Sequence, residues 1–357
     1  MSVYITNLSF ISRLGTSIEE WVENVEKGQS QPLPDALPLD SFLIEDFRPS
    51  LYLGAKGVSY KARSTLFSLA ALRLLFDRED PFLPDLREGD IGICFASNAG
   101  SIQSIADYAR STMRGGFKAT SPMQLAMIMP SITSANLAIR HNVSGFNTTI
   151  SSGISAGLDI LNYSSIFLRE KRCRKVLAGG AEEITEITRE FFQNVDCLRR
   201  SRVTPGEGAA ILVLEEGEDA SRFRNVFGEI RGYGHAFNTE PKRNSAVKHA
   251  MSECMQAALE DAGLGPEEID CICLNHNGYP RTDRAEAAAL ETLFPRKTKR
   301  TRFKNMIGEC YGASGVFQVI GACLDGGKKE YDRLIGKHYL INCFDFESNY
   351  SSLVLKG

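Results

Sequence analysis

Short, nearly continuous apolar runs alternate along the chain with longer segments whose apolar residues recur every three or four positions. These are the periods of buried strands and of amphipathic helices. Residues 2–10 (SVYITNLSF) predict a strand and residues 17–28 a helix, its start marked by Ser17 with Glu20 three positions on. Helical spacing holds over 59–80; the β-rich run DIGICFAS (90–97) then predicts a buried strand and 100–116 a helix. A strand at 147–151, a helix at 155–171, a strand and turn over 175–183 and a strand at 206–216 follow. The theme then repeats, with strands at 227–236, 269–275, 338–346 and 350–357 and helices at 245–265, 282–294 and 312–327. Such alternation predicts an α/β fold in which helices cover buried sheets. The similar order of the two halves, divided near 217–226, predicts an internal duplication with units at 1–222 and 223–357.

Composition narrows the function more than the fold. The 357 residues are 43% hydrophobic and 24% charged, an ordinary globular balance, and the net charge of −3 gives no reason to expect nucleic acid or an anionic membrane as partner. The basic run PRKTKRTRFK (295–304) reads as a solvated loop, although a local positive patch also steers acidic partners such as a carrier protein. No apolar stretch reaches the roughly 18 residues of a membrane span and the first residues carry no leader pattern, so a cytoplasmic protein is expected. Nine cysteines, most in apolar runs, are expected to be buried thiols rather than disulfides. Cys271 and Cys273 are expected on opposite faces of their strand, which argues against a joint metal site; neither a metal nor a cofactor is expected. His141, His235, His249 and His338 stand apart from one another and are read as surface or satisfied core residues.

The stretch GFNTTISSGISAGLDIL (145–161) has the strand, sharp turn and helix start on which acyl-transfer enzymes mount a nucleophile. Ile154 stands where that nucleophile belongs, and a branched hydrocarbon cannot attack a thioester. Ser152 and Ser155 flank it, but no base is indicated for either; they are read as a turn residue and a helix cap.

Several blocks taken in order carry a resemblance: VYITNLSFISRLGTSIEEWVENVEKGQS, SPMQLAMIMPSITSANLAIRHNVSGFNTTISSGISAGLDIL, VLAGGAEE, PGEGAAILVLEE, EIRGYGHAFN, LEDAGLGPEEID, KNMIGECYGASG and NYSSLVL. Together they resemble the β-ketoacyl synthases of the thiolase superfamily, which join acyl chains to malonyl units on carrier proteins. The resemblance implies a thiolase fold, duplicated and five-layered (α-β-α-β-α). It also implies a site built from an elbow cysteine and two histidines, and this chain departs from it at each. Ile154 replaces the cysteine. His276 in NHNGYPRTDRAE precedes the matching Asp283 and Glu286 but stands one residue too early. Glu309, after a matching Lys304, takes the second histidine's place, where a carboxylate would oppose the malonyl carboxylate and the enolate that follows. The family's glycine-rich gating loop reads NCFDFES, with Asp345, Glu347 and Ser348 in place of glycines while Phe344 and Phe346 remain. The segment before PGEGAAILVLEE is also short.

Within the family this pattern resembles the chain-length-factor subunits, which lack the cysteine and pair as heterodimers with an active ketosynthase. The resemblance implies a non-catalytic subunit in polyketide, aryl-polyene or specialised fatty-acid synthesis. Its partners would be that ketosynthase and an acyl carrier protein. Pairing would run through the strand near 147–151, and Ala99 and Gln103 would line the acyl tunnel. Met123, Met127 and Met129 are read first as core packing, with adaptable tunnel or interface lining as the alternative. Two rival readings stay open: thioester exchange or hydrolysis by Cys310 with His276, and a homodimer that captures acyl chains.

Overall fold

The computed structural model describes residues 2–29, 42–54, 58, 60–77, 90–195, 201–218, 223, 225–325, 336–346 and 348–357. Among them are ten strands: β1 (Ser2–Ile11), β2 (Ile91–Ala96), β3 (Asn147–Ile150), β4 (Lys175–Glu182), β5 (Gly208–Gly217), β6 (Gly228–Phe237), β7 (Cys271–Cys273), β8 (Lys299–Thr301), β9 (His338–Phe344) and β10 (Asn349–Lys356). Their spatial order is β3-β2-β4-β5-β1-β6-β10-β9-β7-β8. From the middle outward, each half runs first strand, last, fourth, second, third. The directions also repeat: the last strand of each half is antiparallel to its neighbours and the outer three are parallel. The halves join where β1 meets β6 antiparallel, with Val3 opposite Ile230, Tyr4 opposite Glu229 and Ile5 opposite Gly228.

Helices complete five layers. The Ala156–Arg169 and Ser314–Cys323 helices lie in the middle between the two half-sheets, and all ten residues of the second are buried. The Arg63–Asp77 and Ile132–His141 helices cover the outer face of the first half, the Asn244–Ala262 and Pro280–Leu293 helices that of the second. The result is the expected α-β-α-β-α thiolase architecture. Trp21 of the Ile18–Gln29 helix stacks on Phe317 at 6.1 Å and tilts onto Phe10 at 4.8 Å, tying the first helix and strand to the middle layer.

Most expected elements form within a few residues of their predicted bounds, and the differences have physical causes. Pro122–Met127, Ile132–His141 and Glu186–Asn194 are helices that the apolar spacing did not announce. The basic run is not wholly a loop: Lys299–Thr301 form the edge strand β8, and Phe303 and Lys304 are buried. Cys271 and Cys273 are two positions apart, so they face the same side of β7; both lie in the central core while Ile272 faces the outer one. The eight described cysteines are free and buried; Cys197 lies outside the described residues. His141 stacks on Phe76 at 4.3 Å, and burial, then Arg140 and Arg73, lower its pKa to about 4. His249 lies 3.3 Å from Glu253 on an exposed helix face, a carboxylate neighbour that the sequence reading did not assign it. Among the described residues no helix is long and apolar enough to cross a membrane.

The middle layer is closed by backbone contact. A Cβ on Gly157 would stand 2.7 Å from the Gly312 carbonyl oxygen and 2.9 Å from Gly315 Cα, and backbone cannot swing aside as a side chain does. Gly157→Ala is expected to destabilise the chain by about 1–3 kcal/mol through overpacking. Urea denaturation checks this; an unchanged midpoint would contradict the contact.

Candidate active site

The elbow joins β3 to the central helix through a 3-10 turn at Gly153–Ser155. Gly153 has φ +77°, a left-handed conformation that glycine adopts without strain. Asn98 clamps the turn, its amide donating to Gly153 O at 2.7 Å while Gly153 N–H donates to Asn98 Oδ1 at 3.1 Å. Ile154 is fully buried in the central core. The position that should offer a nucleophile therefore faces hydrocarbon.

The flanking serines do have a carboxylate nearby, which the sequence reading missed. Ser152 Oγ and Ser155 Oγ both donate to Asp159 Oδ2, the latter at 2.9 Å. Tyr233 OH and Ser351 Oγ donate to Asp159 Oδ1 at 2.8 and 2.5 Å. Four hydroxyl donors occupy this carboxylate, so it pins the turn to β6 and β10.

Lys304 and Glu309 form a buried ion pair. Lys304 Nζ lies 2.9 Å from Glu309 Oε2, with both side chains almost wholly buried. Asn277 Nδ2 donates to the same oxygen at 2.7 Å; Ser314 Oγ and Tyr311 N–H donate to Oε1 at 2.6 and 3.0 Å. Lys304 also donates to Asn275 Oδ1 at 2.8 Å. Burial acts against the ammonium, but Glu309, Cys343 and Glu286 together outweigh it and the Lys304 pKa is raised. Glu309 is thus matched by a cation and accepts from three further donors, partners that the sequence reading did not assign it.

His276 does not join this network. Its Nδ1 lies 2.8 Å from Asp283 Oδ2, and its backbone N–H donates to Glu286 Oε2 at 3.2 Å. Asn277, the next residue, reaches Glu309 instead. The signal for this was Gly278, whose φ of +93° and close approach to Arg202 fix the loop just after His276. Cys310 is fully buried, its thiol donating to Ile307 O at 3.5 Å; burial, then Glu309 and Glu182, raise its pKa. A thiol held protonated is a poor nucleophile, and His276 is engaged elsewhere.

The loop expected to form the gate packs on the elbow and on aromatic side chains. Phe344 is buried in the second-half core against Tyr350, at 5.5 Å. Asp345 lies against the elbow, since a Cβ on Gly153 would stand 2.8 Å from its Oδ2. Phe346 stands edge-on to Tyr279 at 5.5 Å and to Tyr311 at 6.5 Å, and Tyr311 tilts onto Phe192 at 5.7 Å. Glu347 lies outside the described residues.

Comparison with known proteins shows the family. The family description "Beta-ketoacyl synthase, N-terminal domain" matches residues 78–220, and "Beta-ketoacyl synthase, C-terminal domain" matches residues 227–325. The chain belongs to the β-ketoacyl synthase family. It is 24% identical over 347 residues to 3-oxoacyl-[acyl-carrier-protein] synthase 2 of Coxiella burnetii, covering 89% of this chain and 84% of that protein. It is 26% identical over 257 residues to the tetracenomycin polyketide synthase ketoacyl synthase beta subunit of Streptomyces glaucescens, covering 66% and 62%. The solved structure of the ishigamide ketosynthase/chain length factor has the same fold, with a TM-score of 0.84 at 22% identity over 100% of this chain and 99% of that one.

In this β-ketoacyl synthase chain the residues expected at a tunnel or interface separate into two places. Ala99 is half-buried beside the elbow, its N–H donating to Glu182 Oε2 at 2.9 Å. Gln103 turns along its own helix, donating to Asp107 Oδ1 at 3.0 Å. Met123 and Met127 line an open groove of about 490 Å³ with Tyr60, Ser104 and Asp107. Core packing is excluded for Met123 and Met129, which are 63% and 53% exposed. Strand β3 stands at one end of the sheet order with no neighbour on its outer side among the described residues.

Lys304→Met is expected to cost about 3–5 kcal/mol, because it leaves Glu309 buried without its cation. The double variant Lys304→Met with Glu309→Leu is expected to recover part of that loss. Chemical denaturation of both checks this, and a harmless single substitution would show that the pair is not buried as described.

Proposed function

We propose that this chain is a non-condensing ketosynthase-like subunit, a chain length factor, that pairs with an active β-ketoacyl synthase and shapes its acyl tunnel. The product would be a polyketide, an aryl polyene or a specialised fatty acid, assembled on an acyl carrier protein. The observation that carries this reading is the buried Ile154 at the nucleophile's position. The Lys304–Glu309 pair and the packing of Phe346 on Tyr279 support it, since these residues stand where the resemblance expects a catalytic histidine and a gating loop. A subunit without chemistry retains a use in its surface and shape, and the open β3 edge supports pairing.

Along β3, Phe146 and Ile150 accept from Ile93 and Ser97 of the β2 side, so the alternation turns the backbone groups of Asn147 and Thr149 outward. Co-expression with a cysteine-containing ketosynthase of the same host is expected to give a one-to-one complex that makes product, while this chain by itself makes none. Thr149→Pro removes an outward N–H and is expected to weaken the complex. Ala99→Phe is expected to shorten the product without preventing pairing. Condensation by the isolated chain would overturn the reading.

A further inference from the structure

Cys271 and Cys273 turn the same way from β7 into the central core, and both are buried. The Cys273 thiol donates to the Cys271 sulfur. Thr301 of β8 lies against both: its hydroxyl donates to Cys273 Sγ at 3.4 Å and stands 4.0 Å from Cys271 Sγ. Cys254, Cys310 and Cys343 bond oxygen atoms instead. The bond from Cys273 lowers the Cys271 pKa against the effect of burial, with Lys299 adding to it, while the same bond raises the pKa of Cys273. Cys271 is therefore the readier thiolate and Cys273 the thiol beside it. Strand β8 is three residues long, pairs with β7 from Lys299–Cys271 to Thr301–Cys273, and has no outer neighbour among the described residues. Local opening of so short an edge costs far less than global unfolding, and it moves Thr301 off the two sulfurs.

We infer that Cys271 and Cys273 are a reversible thiol–disulfide site, closed by a small disulfide such as oxidised glutathione. The Cys271 thiolate attacks one sulfur of the small disulfide, whose S–S bond breaks and releases one thiolate. That leaves a mixed disulfide on Cys271. Cys273 then gives up its proton, attacks the Cys271 sulfur and releases the second small thiol. Two cysteines are oxidised, one small disulfide is reduced to two thiols, and the protons that the cysteines lose end on those thiols. Alternate residues of a strand lie about 6.7 Å apart, at the outer limit of the Cα separation that a disulfide spans. The bond is therefore strained and easily reduced, which makes it reversible rather than a permanent cross-link.

The test incubates the folded full chain with oxidised glutathione, alkylates it in denaturant after quenching, and maps the cysteines by tandem mass spectrometry. The segment 271–273 is expected to lose two hydrogens and to escape alkylation at both cysteines, while the other cysteines are alkylated. Excess reduced glutathione is expected to restore both thiols. Cys273→Ala is expected to keep glutathione as an adduct on Cys271, and Cys271→Ala to slow reaction at Cys273 by about 10-fold or more relative to Cys271. Alkylation of both cysteines after the incubation, a disulfide to any third cysteine, or a bond that reduced glutathione does not open would overturn the inference. Glutathione on Cys273 in preference to Cys271 would overturn the order of attack. Where an alanine variant fails to fold, the mapping of the unaltered chain decides.

Discussion

A carboxylate that is fully buried must be met by a cation and by hydrogen-bond donors, and at Glu309 that requirement organises the centre of the molecule. Lys304 brings the loop after β8 inward, Asn277 the loop after β7, and Ser314 the start of the central helix. The Glu309 backbone is held as well: its N–H donates to Thr204 O and its carbonyl accepts from Gly206 N–H, which ties in the segment before β5. Four parts of the chain thus converge on one residue.

The fold was legible because both halves carry their apolar runs at the right periods in the same order. The sites were legible only where one residue type decides the chemistry. Ile154 declares its inability to act as a nucleophile without any structure. Glu309 could be located from the sequence but not understood, because its meaning depends on Lys304, Asn277, Tyr311 and Ser314 arriving from different segments. Asp159 was missed for the same reason: its donors Tyr233 and Ser351 are far away in sequence. Met123 and Met129 were misjudged because helical apolar spacing does not say whether a face is covered by the same chain.

The two ends of the first half-sheet show opposite states of completion. Around the elbow, Asp345 packs against Gly153, Phe346 against Tyr279, and Lys304 pairs with Glu309. At β3 and the Pro122–Met127 helix, strand edge and apolar side chains remain uncovered. This contrast is what the proposed role as a supporting subunit requires.

The most direct test is to incubate the purified pair with acyl-loaded carrier protein and weigh each subunit by denaturing mass spectrometry. An acyl adduct on the partner ketosynthase, with this chain at its unmodified mass, is the expected result. An acyl adduct on this chain would contradict a subunit that shapes the reaction without taking part in it.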